Sequence, residues 1–172
     1  QVQQGCDQGC TFCVIHRARG KSISLDEDAV LNQVRTFVAS GSAEIVVCGV
    51  DLGSYEYSSS EREVDALGLV SLLKKISRLP GEFRIRLSSI DPAHLNDSLL
   101  DLMGSDERYC PYLHVSVQSG STLILKRMKR RYDRQWLLER LFAARERLPG
   151  LVLGADIMAG FPTETEADFA QS

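Results

Sequence analysis

Three cysteines fall within eight residues of GCDQGCTFCVIH: Cys6, Cys10 and Cys13, spaced C-x3-C-x2-C, with His16 three residues further on. Thiolates packed this closely are a donor set for soft or borderline metals. Two metal chemistries compete. A structural zinc site takes four ligands, and His16 would complete a Cys3His set in a binding module without catalysis. An iron–sulfur cluster is ordinarily held by four cysteines, so three would leave one iron open to a ligand that is not protein. A third reading is three untethered thiols. The total of five cysteines is odd and three are bunched, which argues against a secreted disulfide framework and for a reducing compartment. Cys48 reads as a small buried hydrophobe in a strand and Cys110, beside Pro111, as incidental; neither has partners at ligand spacing.

Elements must hold these thiols in place, and the apolar pattern supplies them. Ser24 followed by Glu27 is a capping-box pattern opening a helix whose face is Val30, Val34, Phe37 and Val38. Residues 44–51 read as a buried strand. Leu69, Leu72, Leu73 and Ile76 give a second helix, stopped at Pro80-Gly81. Residues 83–90, 112–119 and 151–160 read as strands, Asn96 caps a short helix through Met103, and helices follow over 121–130 and 134–148. In the last, Leu137, Leu138, Leu141, Phe142 and Arg145 fit one face. The polar stretch from Tyr55 to Glu63 reads as a loop.

Strand followed by helix, four times over, predicts an α/β chain with a parallel sheet and right-handed crossovers. Two strands alternate where a doubly covered parallel strand would be apolar throughout. Phe83, Ile85 and Leu87 share one face, against Arg84, Arg86 and Ser88; Leu113, Val115 and Val117 alternate with His114, Ser116 and Gln118. The apolar face suits a ring of helices and the polar face would line the bore of an open barrel, although alternation also fits a half-exposed sheet. Active sites of such barrels lie at the C-terminal strand ends, where Asp51, Asp91, Gln118 and residues 160–164 fall.

The 172 residues suffice for one domain with a sizeable core. A net charge of −3 makes a generally basic, nucleic-acid-coating surface untenable. Any such attraction must come from patches such as KRMKRRYDR (126–134), with six basic residues in nine. On a helix Lys126, Lys129 and Arg130 would share a face; the alternative is a solvated charge run. No apolar run is long enough to span a bilayer. The chain lacks a starting Met and ends in what reads as the first turns of a helix, so an excised piece of a longer protein is expected.

The C-x3-C-x-aromatic-C pattern, with Phe12 before Cys13, resembles the radical S-adenosylmethionine (SAM) superfamily. GCDQGCTFCVIHRARG, RIRLSSIDP, LHVSVQSGSTLILKRMKRRY and GADIMAGFPTETEADF resemble, in order, successive blocks of the methylthiotransferase radical SAM domain. ARG at 18–20 and KRMKRRY at 126–132 look most like the enzymes that act on threonylcarbamoyladenosine in tRNA. Isopentenyladenosine tRNA enzymes and ribosomal-protein enzymes share the rest.

The resemblance implies an incomplete parallel (β/α) barrel of the radical SAM type, truncated before its last strand. Residues 1–172 would be the radical SAM core, with an N-terminal domain carrying a second 4Fe-4S cluster and a C-terminal RNA-binding domain outside it. Cys6, Cys10 and Cys13 would ligate a 4Fe-4S cluster whose fourth iron binds SAM. Gly49, Val50 and Asp51 would approach the SAM amino group, and Ser88 and Ser89 end the next strand. Gln118 and Ser119 would meet ribose or carboxylate, although Gln118 also reads as a buried amide tying strands. Asp156 would lie near adenine. Of the basic residues Lys126, Lys129 and Arg130, one, with Arg130 as the candidate, would pair with the SAM carboxylate and others would meet tRNA phosphates. His94 and His114 read as structural. No catalytic side chain beyond the cluster ligands is implied. The implied reaction turns a C–H bond of a modified tRNA adenosine into C–SCH3, in a cytoplasmic protein with tRNA as substrate and a flavodoxin or ferredoxin as reductant; the piece itself would be monomeric. The chain departs from the family pattern at His16 and Arg17, where Pro and an aromatic are usual, at Thr163, where Gly is usual, and at Asp91, where Glu is.

Overall fold

The computed structural model describes residues 1–57 and 67–172. In chain order the elements are β1 (Gln3–Gln4), α1 (Ile15–Ala18), β2 (Ile23–Ser24), α2 (Glu27–Ala39), β3 (Glu44–Val47), β4 (Glu56–Tyr57), β5 (Leu67–Gly68), α3 (Leu69–Ser77), β6 (Arg84–Leu87), α4 (Asp97–Ser105), β7 (Tyr112–Gln118), α5 (Thr122–Arg127), α6 (Arg134–Arg147), β8 (Val152–Ile157) and α7 (Glu166–Phe169). Short 3-10 turns at Leu52–Ser54 and Pro92–His94 follow the ends of β3 and β6.

β3 pairs in parallel with β6, Glu44 opposite Arg84 and Val47 opposite Leu87, and β7 pairs in parallel with β8. Single parallel bridges, Gln3 to Gly49, Ile85 to Tyr109 and Ile90 to Val115, join these pairs to each other and to β1. The strand order is therefore β1-β3-β6-β7-β8, an arc of parallel strands. The alternation read from sequence gives the arc one apolar face and one polar face. Ile85, Leu87, Leu113, Val115 and Val117 are buried in one core with α2, α3 and α4, each worth about 1.5–3 kcal/mol of apolar burial. Arg86, Tyr112, His114 and Ser116 stand half-buried on the other face. There Arg86 pairs with Glu44 (Nε–Oε1 2.7 Å) and lies 5.1 Å over the Tyr112 ring. The Tyr112 hydroxyl meets His114 Nδ1 at 3.1 Å.

Several local expectations are corrected. The cap of α2 is Asp26, whose side chain accepts from the Ala29 amide; Ser24 instead sits in β2 and accepts from the Glu56 amide. α5 stops at Arg127, and Lys129 takes a left-handed φ of +58°, so Lys126, Lys129 and Arg130 share no helical face. The break is what turns Arg130 inward. α6 buries Leu137 and Ala144 but leaves Leu138 and Phe142 exposed. It is held to α4 by Arg140 and Arg147 on Asp97 and by Arg147 on Asp101, a polar contact that needs no wide apolar stripe. β8 is exposed at Val152, Leu153 and Ile157, because among the described residues it ends the arc with β7 alone beside it. β4 lies within the stretch read as a loop, whose residues 58–63 fall outside the described residues. Among the described residues no helix is long and apolar enough to cross a membrane.

Candidate metal centre and cofactor cleft

The cysteine loop leaves β1 through Gly5, at φ +71° with the Lys21 carbonyl oxygen 1.9 Å from where a Cβ would stand, so no other residue fits. Straps then fix the loop. The Cys6 amide donates to the Gly20 carbonyl and the Cys13 amide to that of Cys10 (both 3.1 Å). Thr11 donates through its amide to Met128 O (3.2 Å) and through its hydroxyl to Arg127 O (3.0 Å). The turn after α5 therefore shapes a loop more than a hundred residues earlier. All three thiols line one cleft at the C-terminal strand ends, shared with Val50, Asp51, Ser89, Gln118 and Arg130.

The cleft's charges are paired in two sets. Asp51 accepts from Ser54 Oγ (2.7 Å) and the Cys6 thiol (3.8 Å), with His94 Nε2 at 3.4 Å. Burial works to raise its pKa, but His94, Ser54 and Arg131 together hold it below the usual carboxylate range. Burial pushes the Cys6 thiol up, and Asp51 and the other two thiols add to this, against the Gln8 amide, which donates to its sulfur. A metal binding here must displace that proton. In the second set Arg130 and Asp91 form an ion pair at 2.7 Å with only 7% and 11% of their side chains exposed. Arg130 also donates to Ser116 O (3.1 Å), Tyr132 Oη (3.1 Å) and Cys10 Sγ (3.4 Å). Burial pushes Tyr132 up to about 12 despite the neighbouring guanidinium.

Of the residues singled out from sequence, the cleft gathers Cys6, Cys10, Cys13, Val50, Asp51, Ser89, Gln118 and Arg130. Gln118 is held at φ +66°, at the last position of β7. Three others stand apart. Gly49 lacks a side chain because a Cβ would come within 3.0 Å of Gln3 Oε1 and of Leu52 Cα, a crowding of protein on protein. Ser119 is fully buried and accepts from the Ser121 amide at the start of α5. Asp156 is in the bore, paired with His114 Nε2 at 3.0 Å. Cys48 follows β3 and is half-buried, and Cys110 is buried with its thiol 3.7 Å from Glu44 Oε2.

Sequence reasoning missed Gln3. Fully buried, it accepts from the Asp51 amide (2.8 Å) and donates to Gly5 O (2.9 Å) and Ser22 Oγ (2.8 Å), tying the cysteine loop to the loop after β3. An amide in so short a strand carries no sequence signal of its own. The Arg130–Asp91 pairing was missed too, since nothing in the sequence joins residues 39 apart.

The donor set fits an iron–sulfur cluster better than a single ion. Among the described residues all the cysteines are free, and no three His, Cys, Asp or Glu side chains converge on one ion position. What separates the two is the fourth ligand: Cys6, Cys10 and Cys13 share a cleft that His16 does not line, as suits three thiolates each on a different iron rather than a Cys3His zinc. His16 faces a separate groove with Cys10, Cys13, Arg17 and Lys129, which excludes Cys6.

Residues 1–172 match the Radical SAM superfamily. The chain belongs to the radical SAM superfamily. Membership implies a [4Fe–4S] cluster and SAM as the cofactors of this radical SAM domain. The domain is 44% identical over 169 residues to threonylcarbamoyladenosine tRNA methylthiotransferase MtaB of Rickettsia prowazekii, covering 98% of this chain and 39% of the relative. It is 38% identical over 173 residues to tRNA-2-methylthio-N(6)-dimethylallyladenosine synthase of Nitratiruptor sp., covering 99% and 39%. The chain thus spans about two fifths of these relatives. The radical SAM methyltransferase TsrM from Kitasatospora setae superposes with a TM-score of 0.76 at 16% identity, over 97% of this chain and 32% of that one, a likeness of fold.

Proposed function

We propose that this radical SAM domain is the catalytic core of a tRNA methylthiotransferase, converting a C–H bond of threonylcarbamoyladenosine to C–SCH3. The observation that carries the class is the three free thiols gathered with Asp51, Gln118 and Arg130 on one cleft, in a chain whose curated relatives bear methylthiotransferase and methylthio-adenosine synthase names. Cys6, Cys10 and Cys13 would hold the cluster. Bound there, cluster and SAM supply one-electron chemistry able to break an unreactive C–H bond. The chain's own residues orient and enclose. Asp51, kept ionised, offers an acceptor for an ammonium group, Gln118 offers amide donors, and Phe12, Ile15 and Leu52 close the cleft with apolar surface. Asp156 and His114 present polar groups inside the bore, where a substrate base would be met. Arg127 and Lys129, exposed beside the cleft, suit tRNA phosphates.

The reading assigns a second cluster and an RNA-binding domain to parts of a longer cytoplasmic protein, with a flavodoxin- or ferredoxin-like reductant. Identity of 44% favours threonylcarbamoyladenosine; a second reading, isopentenyladenosine, is favoured by the recurrence of dimethylallyladenosine synthases among the relatives. Nucleoside mass spectrometry of tRNA from a strain lacking the full-length protein tests both. Loss of the methylthio form of threonylcarbamoyladenosine is the expected result. Loss of the isopentenyl form instead selects the second reading, and no change in either overturns the tRNA assignment.

A further inference from the structure

We infer that Arg130 acts through Cys10 on the cluster, raising its reduction potential by a charge-assisted hydrogen bond to the ligand sulfur, rather than gripping SAM. This rests on the reading that Cys6, Cys10 and Cys13 hold the cluster.

A guanidinium has five N–H donors and stays charged. Four are already committed: two on one terminal nitrogen to Asp91 Oδ2 and Ser116 O, Nε to Tyr132 Oη, and one on the other terminal nitrogen to Cys10 Sγ. One N–H remains, too few for the parallel pair that a bidentate carboxylate contact requires. The group is fixed from several sides, by the Asp91 ion pair, the β7 carbonyl and the Tyr132 ring, whose centroid lies 5.1 Å away. With its side chain only 7% exposed, its field is poorly screened by water. Cys6 meets the opposite environment, the Asp51 carboxylate. The Cys10 sulfur thus meets an N–H donor, whereas the Cys6 sulfur meets a carboxylate acceptor. Adding an electron makes a cluster more negative, so a donor and a fixed positive charge at a ligand sulfur favour the reduced form.

The test is an EPR-monitored redox titration of the chain reconstituted anaerobically with ferrous iron and sulfide, without SAM, as parent, Arg130→Lys and Arg130→Met. Lys keeps a positive charge for Asp91 but not the fork that also reaches Cys10. At a fixed poise the reduced-to-oxidised ratio should fall about tenfold in Arg130→Lys, about 59 mV for a one-electron couple, and further in Arg130→Met, with iron content unchanged. Equal potentials in loaded parent and variants overturn the inference and leave the cluster reading standing. So does an unchanged potential accompanied by a tenfold loss of SAM affinity in equilibrium binding. A parent that takes up no iron overturns the cluster reading, and the inference with it. Should the variants fail to load, pulsed EPR on the reduced parent carrying 15N-guanidinium arginine decides. A 15N coupling to the cluster supports the contact, and its absence overturns it.

Discussion

Thr163 holds a backbone conformation that its side chain disfavours, and Thr163→Gly should stabilise the chain. Its φ is +73°. The left-handed region costs an L-residue about 1–2 kcal/mol, and a β-branched side chain belongs at the upper end. The position is forced from both sides. The Arg127 guanidinium donates to the Thr163 carbonyl (3.0 Å), and the Gly160 amide donates to Glu164 Oε2 (2.6 Å). Both contacts use the backbone of residues 160–164 or side chains other than that of Thr163, so they survive the change. Glycine removes the strain but adds about 0.4–1 kcal/mol of unfolded-state entropy, and the exposed local contact from Thr163 Oγ1 to the Pro162 carbonyl is lost. The balance is a gain of about 0.5–1 kcal/mol, or roughly 1–4 °C in a chain of this length. Differential scanning calorimetry of parent, Thr163→Gly and Thr163→Ala separates the causes. Alanine keeps the steric penalty at positive φ and should gain little. A Thr163→Gly midpoint at or below the parent's, or an alanine variant as stable as the glycine one, would refute the reasoning.

Three further outcomes follow from paired or buried groups. Asp91→Ala strands a buried guanidinium, and urea unfolding should show a loss of about 3 kcal/mol; a loss under about 1 kcal/mol would mean that Ser116, Tyr132 and solvent suffice for Arg130. Burial raises Tyr109 and Tyr132 to about 12. Their contribution to stability is whole below the ordinary phenol value of 10.0 and is lost as pH rises toward 12. Phenolate absorbance should therefore show Tyr109 and Tyr132 ionising only as the chain unfolds. Asp168 accepts from Thr165 and Ser121 and is held below the usual 3.8. Its contribution is present above that value and lost as pH falls below it, so Asp168→Asn should flatten the acid limb of the stability curve measured by circular dichroism.

Much of the architecture could be read from local pattern because the pattern is a direct record of burial. Ile85, Leu87, Leu113 and Val115 alternate because one face of each strand is sealed by helices, and the polar partners between them mark the bore. Asn96 was readable as a cap because a cap is a short-range bond to an amide three residues on. Ser24 misled because a capping-box spacing is also found where a serine pairs in a strand. The basic run misled because a helical face was assumed through Lys129, where the backbone turns left-handed. Within the site, the thiol spacing and the strand-end positions were legible, being local. What tunes the thiols was not. Arg130 on Cys10, Gln3 under Asp51 and the Thr11 strap exist only once strands distant in sequence are side by side, and Leu138 and Phe142 show that helical period alone does not say what covers a face.

The Thr11 strap and the Arg130 contact set a clock on the ribosome. Cys10 is synthesised 120 residues before the arginine that reaches it. At about 5–20 residues per second, some 6–24 s pass while the thiols exist without the turn that arranges them, and longer before that turn clears the exit tunnel. Through that interval Cys10 lacks the Arg130 contact and Thr11 its strap. The arrangement that sets Cys10 beside Arg130 can therefore form only once residue 130 has been made and has emerged.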